Sequence, residues 1–174
     1  MNIQFQSAVF FVQDIDVSRR FYQDLLEQEV LMDHGPNVGF VGGFALWQVE
    51  HACETIFEHS TPETEQLGRK NCEIYFETHD LEAVWERLSE ASVRVIHPMR
   101  EQPWGQRVFR VCDPDGHIVE LGEPMPVVIQ RFLAQGMTAK AIAQRTSMPV
   151  EIVRQIAQNV SQQGQVEAFC NFTR

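Results

Sequence analysis

The feature that most restricts the fold is an internal repeat. Asp14 and Asp80, 66 positions apart, each follow a strand-like run and precede an amphipathic helical pattern. The runs SAVFFV and EIYFET are rich in the aromatic and β-branched residues that suit a pleated surface. After Asp14, the residues Ile15, Ser18, Phe21, Tyr22, Leu25 and Leu26 recur at the spacing of one helix face. After Asp80, Leu81, Val84, Leu88 and Ala91 do the same, and each aspartate suits an N-cap. Three short strand candidates follow each helix: EVLMD, NVGFV and FALWQVE, then VRVIH, QRVFRVC and HIVELG. Each copy therefore reads βαβββ, and the expected class is α+β.

Turn chemistry supports these divisions. His34-Gly35-Pro36 and Gly42-Gly43 punctuate the first copy, and Asp113-Pro114-Asp115-Gly116 predicts a hairpin in the second. The modules are placed at about 1–50 and 72–124. Residues 51–71 between them are polar and weakly periodic, which predicts a linker with one short helical turn. Glu-Pro-Met-Pro at 123–126 marks a boundary, so residues 1–124 form one domain and 125–174 a second, all-helical one.

Charge divides at the same place. Residues 1–124 carry nine Lys and Arg against 22 Asp and Glu, a balance of −13, while residues 125–174 carry five against two, or +3. The two parts are expected to meet different partners. No apolar run approaches membrane-spanning length, and the N-terminus lacks a basic, cleavable leader, which predicts a cytoplasmic protein with no membrane partner. Cys53, Cys72, Cys112 and Cys170 stand far apart with no C-x-x-C pair, so free thiols are expected rather than a disulfide framework or structural zinc.

The segments FFVQDIDVSRRFYQDLL and PWGQRVFRVCDPDGHIVELGEP carry a resemblance to the glyoxalase, bleomycin-resistance and extradiol-dioxygenase superfamily, the vicinal oxygen chelate proteins. The D-P-D-G-x-x-x-E-L hairpin is its most specific part, and about 120 residues are covered. The resemblance implies two βαβββ modules curled into a half-open mixed sheet whose concave face holds a ligand. It also implies divalent-metal ligands on the first and fourth strands of each module, where an ion with open positions would chelate adjacent substrate oxygens.

Carried over by spacing, those positions are Ser7 and Trp47 in the first copy and Glu73 and Glu120 in the second. Serine is a poor ligand and tryptophan none. Two carboxylates with water could still hold Mg²⁺ or Mn²⁺, and Ni, Zn or Fe complete the alternatives. His51 is a remote further candidate, and strand alternation turns His117 away from Glu120. Glu120 has a plainer role available, pairing with Arg107 or Arg110.

The leading expectation is a small-molecule-binding protein, homodimeric and without a cofactor. Its acidic cleft would take a cationic or aromatic ligand through Ser7, Trp47, Glu73, Trp104 and Glu120. The alternative is a glyoxalase-like lyase, isomerase or dioxygenase with Glu73 and Glu120 as catalytic residues, whether holding a metal or moving a proton between them.

Residues 127–160 resemble the helix-turn-helix at the ends of many response regulators. A helix at 127–135, a second capped by Thr138, a turn at Ser147-Met148 and a third helix from Pro149 are expected. Were this unit a DNA reader in a ligand-responsive regulator, Arg154 and Gln155 would face bases. Glu151 on the same helix and the acidic neighbouring domain oppose it, and a packing or dimerising role is preferred. The tail, with Phe169 and Phe172, could dock on a partner subunit or on its own chain.

Overall fold

A computed structural model describes residues 3–58 and 67–159. The tail with Phe169, Cys170 and Phe172 lies outside the described residues. In the first module, β1 (Ala8–Val12) leads into α1 (Ile15–Arg20) and a π-helical turn (Phe21–Leu25), followed by β2 (Val30–Asp33), β3 (Asn37–Phe40) and β4 (Phe44–Gln48). In the second, β5 (Glu73–Glu77) leads into α3 (Leu81–Glu90), then β6 (Val95–Glu101), β7 (Arg107–Cys112) and β8 (Ile118–Gly122). The sheet orders are β1-β4-β3-β2 and β5-β8-β7-β6, one permutation used twice. The repeat seen in sequence is thus a repeat of topology, and the α+β class holds.

In the first sheet β1 runs parallel to β4, with Ala8 opposite Phe44 and Val12 opposite Gln48, while β2–β3 and β3–β4 are antiparallel. Asp14 caps α1 as expected, its carboxylate accepting from the Val17 amide at 3.0 Å. Phe40 stacks on Phe44 with centroids 4.6 Å apart, and the buried Tyr22 ring leans on both. These rings anchor the helix to the sheet.

Residues 49–57 depart from expectation. The β4 strand stops at Gln48, whose amide is held by the Pro36 carbonyl at 2.7 Å, and a nine-residue helix α2 (Val49–Phe57) follows instead of a single turn. Its buried face is only Val49, Ala52 and Cys53, too short a stripe to stand out among polar neighbours.

The described residues fall into two compact units, one of residues 3–58, 67–74, 82–97 and 110–120 and one of residues 75–81, 98–109 and 121–159. In the second, α4 (Met125–Ala134), α5 (Ala139–Thr146) and α6 (150–159) surround a core of Val128, Ile129, Phe132, Ile142 and Val153. The helix α4 starts two residues earlier than expected, with Pro126 in its first turn, where a missing amide proton costs nothing. Thr138 caps α5 through the Ala141 amide, and Ser147, at φ 58°, turns the chain toward α6.

Ionic contacts tie these helices to strand ends of the same unit. The buried carboxylate of Glu123 accepts from Arg107 and from Arg131, and Glu101 holds both Arg131 and Arg145. Arg131 also donates to the Gly105 carbonyl at 2.5 Å.

Candidate functional site

The second-module positions singled out by spacing converge on one side chain. Arg110, on β7, bonds Glu73 of β5 at 2.5 Å and forms an ion pair with Glu120 of β8. Its Nη1 lies 3.1 Å from the ring nitrogen Nε2 of His97 on β6. All four strands thus contribute to one cluster on one sheet face. Alternation along the strands explains why: Phe109, Val111, Val119 and Leu121 are buried apolar residues, so Arg110 and Glu120, between them, take the opposite face. By the same parity Cys112 and Ile118 lie on the face of Arg110 and Glu120.

The first-module positions do not join this cluster through any described bond. Ser7 is exposed and donates to the Ala8 carbonyl. Trp47 is half-buried, with its indole N–H on His51 Nδ1 at 2.8 Å and its ring edge-on to Phe11. His51 is therefore the acceptor of the Trp47 indole.

These residues do not fit a divalent-metal centre. The two carboxylates already share a guanidinium, and the other two positions offer an exposed hydroxyl and an indole. Among the described residues no three His, Cys, Asp or Glu side chains come together as a ligand set.

The β7–β8 turn is held from within. Asp113 Oδ1 accepts from the amides of Asp115 and His117, while Oδ2 receives the Tyr22 hydroxyl and His117 Nδ1, each at 2.9 Å. Asp115 accepts from the Gln13 amide and the Ser18 hydroxyl. Burial lowers the His117 pKa, but the hydrogen bond and charge of Asp113, with Asp115 behind it, outweigh burial and leave it raised. Burial, then Asp113, pushes the Tyr22 hydroxyl well above its ordinary value. His117 is thus part of the turn, with Phe10 edge-on to its ring.

Two cavities meet beside this turn. One, of about 340 Å³, is lined by Phe21, Val93, Arg94, Asp113, Asp115 and neighbours. The other, of about 380 Å³, is lined by Lys70, Arg94, Val95, Ile96, Cys112 and Ile118, with Gly68 and Gly116. Cys112 and Ile118 carry the second cavity onto the sheet face that holds Arg110 and Glu120.

The profile of the glyoxalase-like domain family matches residues 5–126, most of the chain. The protein belongs to the glyoxalase-like domain family. A protein of unknown function from Agrobacterium tumefaciens is 41% identical, with a TM-score of 0.65 over 71% of this chain and 96% of that one. A lactoylglutathione lyase from Agrobacterium tumefaciens (19% identity, TM-score 0.54, 72% and 96% covered) and a fosfomycin resistance protein from Listeria monocytogenes (18%, 0.53, 71% and 95%) share the fold. Uncharacterised proteins of Mycobacterium bovis and Mycobacterium tuberculosis are 30% identical over 74 residues, 42% of this chain. The chain spans about half the length of these curated relatives, 49% and 44%.

Trp104 belongs to a different cluster of the glyoxalase-like chain, in the unit that contains the helices. Its indole N–H donates to Gln106 Oε1 at 2.9 Å, and Gln106 Nε2 donates to the Tyr75 hydroxyl and the Glu123 carbonyl. Tyr75 in turn donates to Glu77, and its pKa is pushed to about 12 by burial and by Glu77. Trp104 as a whole is 38% exposed. Arg154 and Gln155 are exposed on α6, with Glu151 exposed one turn earlier.

The sequence reading missed Lys70, Arg94, Tyr75 and Gln106 as site residues. Alternation from Glu120 could have pointed to Cys112 and Ile118. No local signal marks Lys70 or Arg94, because the cavity depends on residues far apart in the chain.

Proposed function

We propose that this member of the glyoxalase-like family is a cytoplasmic small-molecule-binding protein that acts without a tightly bound divalent ion. The observation that supports this reading is the Arg110 guanidinium, hydrogen-bonded to Glu73 and ion-paired with Glu120. A metal-dependent lyase, isomerase or dioxygenase, or a two-carboxylate proton shuttle, would need one of those groups released from Arg110. The carboxylates that would pair with a cationic ligand are engaged in the same way. Cys53, Cys72 and Cys112 are unbridged, as a reducing compartment favours.

Homodimerisation belongs to the reading as well. Val9, Leu31, Met32 and Val41 expose apolar surface around the first sheet, of the kind that a partner surface commonly covers. Duplex reading by α6 has less support, since Glu151 shares its exposed surface with Arg154 and Gln155.

The test is the metal content of protein purified without chelator, with Mn²⁺, Ni²⁺, Zn²⁺ and Fe²⁺ titrated into the apoprotein. The expected result is no binding at micromolar concentration. About one ion per chain, lost on Glu73→Ala or Glu120→Ala, would overturn the proposal and direct work to glyoxalase and dioxygenase assays.

A further inference from the structure

Acidic residues outnumber basic ones so strongly in residues 1–124 that a cation without a carboxylate partner needs explaining. Arg19, Arg87, Arg107 and Arg110 each hold a carboxylate. The Lys70, Arg94, Arg20 and Arg100 side chains have no such partner among the described residues, and of these Lys70 and Arg94 both line the 380 Å³ cavity. The placement of Lys70 is built into the backbone: Gly68, at φ +61°, packs so closely on the turn that a Cβ there would lie 2.3 Å from the Gly116 carbonyl carbon. Only glycine tolerates both that angle and that approach.

The rest of the lining is apolar, from Val95, Ile96, Ile118 and the buried Cys112. The carboxylates nearest the turn form no ion pair with these cations among the described residues. Asp113 is taken up by Tyr22, His117 and its own turn, and Asp115 by Gln13 and Ser18. More distant acids are screened beyond about 8 Å at physiological ionic strength, whereas a contact at about 4 Å is worth roughly 1–4 kcal/mol between water-like and surface-like dielectrics. Local cations therefore outweigh the overall negative charge at this spot.

We propose that this cavity binds a small amphipathic organic anion, its acidic head between Arg94 and Lys70 and its apolar body over Val95, Ile96 and Ile118. Guanidinium suits a planar carboxylate or a phosphate oxygen pair, and the ammonium adds an adaptable charge. The cavity size lies within the usual range for small-molecule sites, about 300–1,000 Å³. The inference names a ligand class for the binding-protein reading and rests on it, but its test is separate from the metal titration.

The experiment titrates the full chain with octanoate, using octylammonium and octanol as controls, followed by calorimetry and amide chemical-shift mapping. Octanoate is expected to perturb Lys70, Arg94, Ile96, Cys112 and Ile118, and Arg94→Gln or Lys70→Gln to weaken it about tenfold, the effect of one lost charged hydrogen bond. Both substitutions are at exposed positions, and unchanged spectra elsewhere will show that the fold is kept. No octanoate binding at millimolar concentration, equal binding of octylammonium, or undiminished binding in both variants overturns the inference. Any of these results, with no metal bound, would leave the binding-protein reading standing.

Discussion

Arg110 and Glu120 face each other from neighbouring strands, and the arginine is the charge partner that lets a carboxylate remain buried on this sheet face. Glu73 shares the same guanidinium. Removing the arginine would leave Glu120 buried beside a second acid, and breaking fully buried pairs costs about 3–5 kcal/mol. Arg110 retains 21% exposure, so Arg110→Met is expected to cost less, about 2–3 kcal/mol, with Tm falling by roughly 5–10 °C. Thermal melts of Arg110→Met and Arg110→Met/Glu120→Gln check it. The double variant should regain part of the loss, and the single variant should be stabilised by millimolar Mn²⁺ where the native chain is not.

The bond from Tyr22 to Asp113 joins residues 91 positions apart and is buried. Tyr22→Phe should destabilise by about 1–2 kcal/mol, because Asp113 keeps its bonds to His117 and to the turn amides. Chemical denaturation with an unchanged m-value would place the effect in the native state.

His117 gives the glyoxalase-like chain a pH dependence of definite sign. Its folded pKa is raised above the reference of 6.5, so its contribution is fully present below that value and fades as pH rises through the folded value. Asp113→Asn removes the cause. The His117 midpoint, followed by NMR, should move down, and the fall in Tm across this pH interval should become shallower.

Glu123 acts in the opposite direction. Burial raises its pKa, but bonds from Arg107 and Arg131 outweigh burial and leave it lowered from 4.5. Its stabilisation is therefore present above about that value and lost as pH falls through the depressed folded value. Glu123→Gln should cost about 2–4 kcal/mol near neutral pH and flatten the acid limb of a stability curve measured from pH 6 to 3.

Two glycines of the helical unit separate strain from collision. Gly136, at φ +81°, has nothing within 4 Å of a built Cβ, so Gly136→Ala should cost about 1 kcal/mol. Gly105, at φ +90°, would place its Cβ 2.2 Å from the buried Phe132 ring. Gly105→Ala should cost at least about 3 kcal/mol. Equal melting temperatures for the two variants would contradict the packing described.

Much of the fold was legible because period and turn chemistry are local. The strand runs before Asp14 and Asp80, the Asp113–Gly116 hairpin and the Thr138 cap follow from neighbours in sequence. The helix α2 was not legible, since three buried residues make too short a pattern. In the site, the sequence offered Glu120 either Arg107 or Arg110 as a partner, and the structure pairs it with Arg110. Lys70 and Arg94 could not be found that way, because they come together only when Gly68 lies on Gly116, 48 positions away.

The family match ends at residue 126, inside the first turn of α4. Just beyond it, Arg131 and Phe132 engage Gly105 and Glu123, which lie within the matched region. The boundary drawn by descent and the boundary drawn by packing therefore do not coincide. A fragment cut where the family ends would carry a loop moulded to a phenylalanine that it no longer possesses. The Gly105 loop thus depends on α4 for its packing, so any transfer of the matched region must carry the first turns of that helix along.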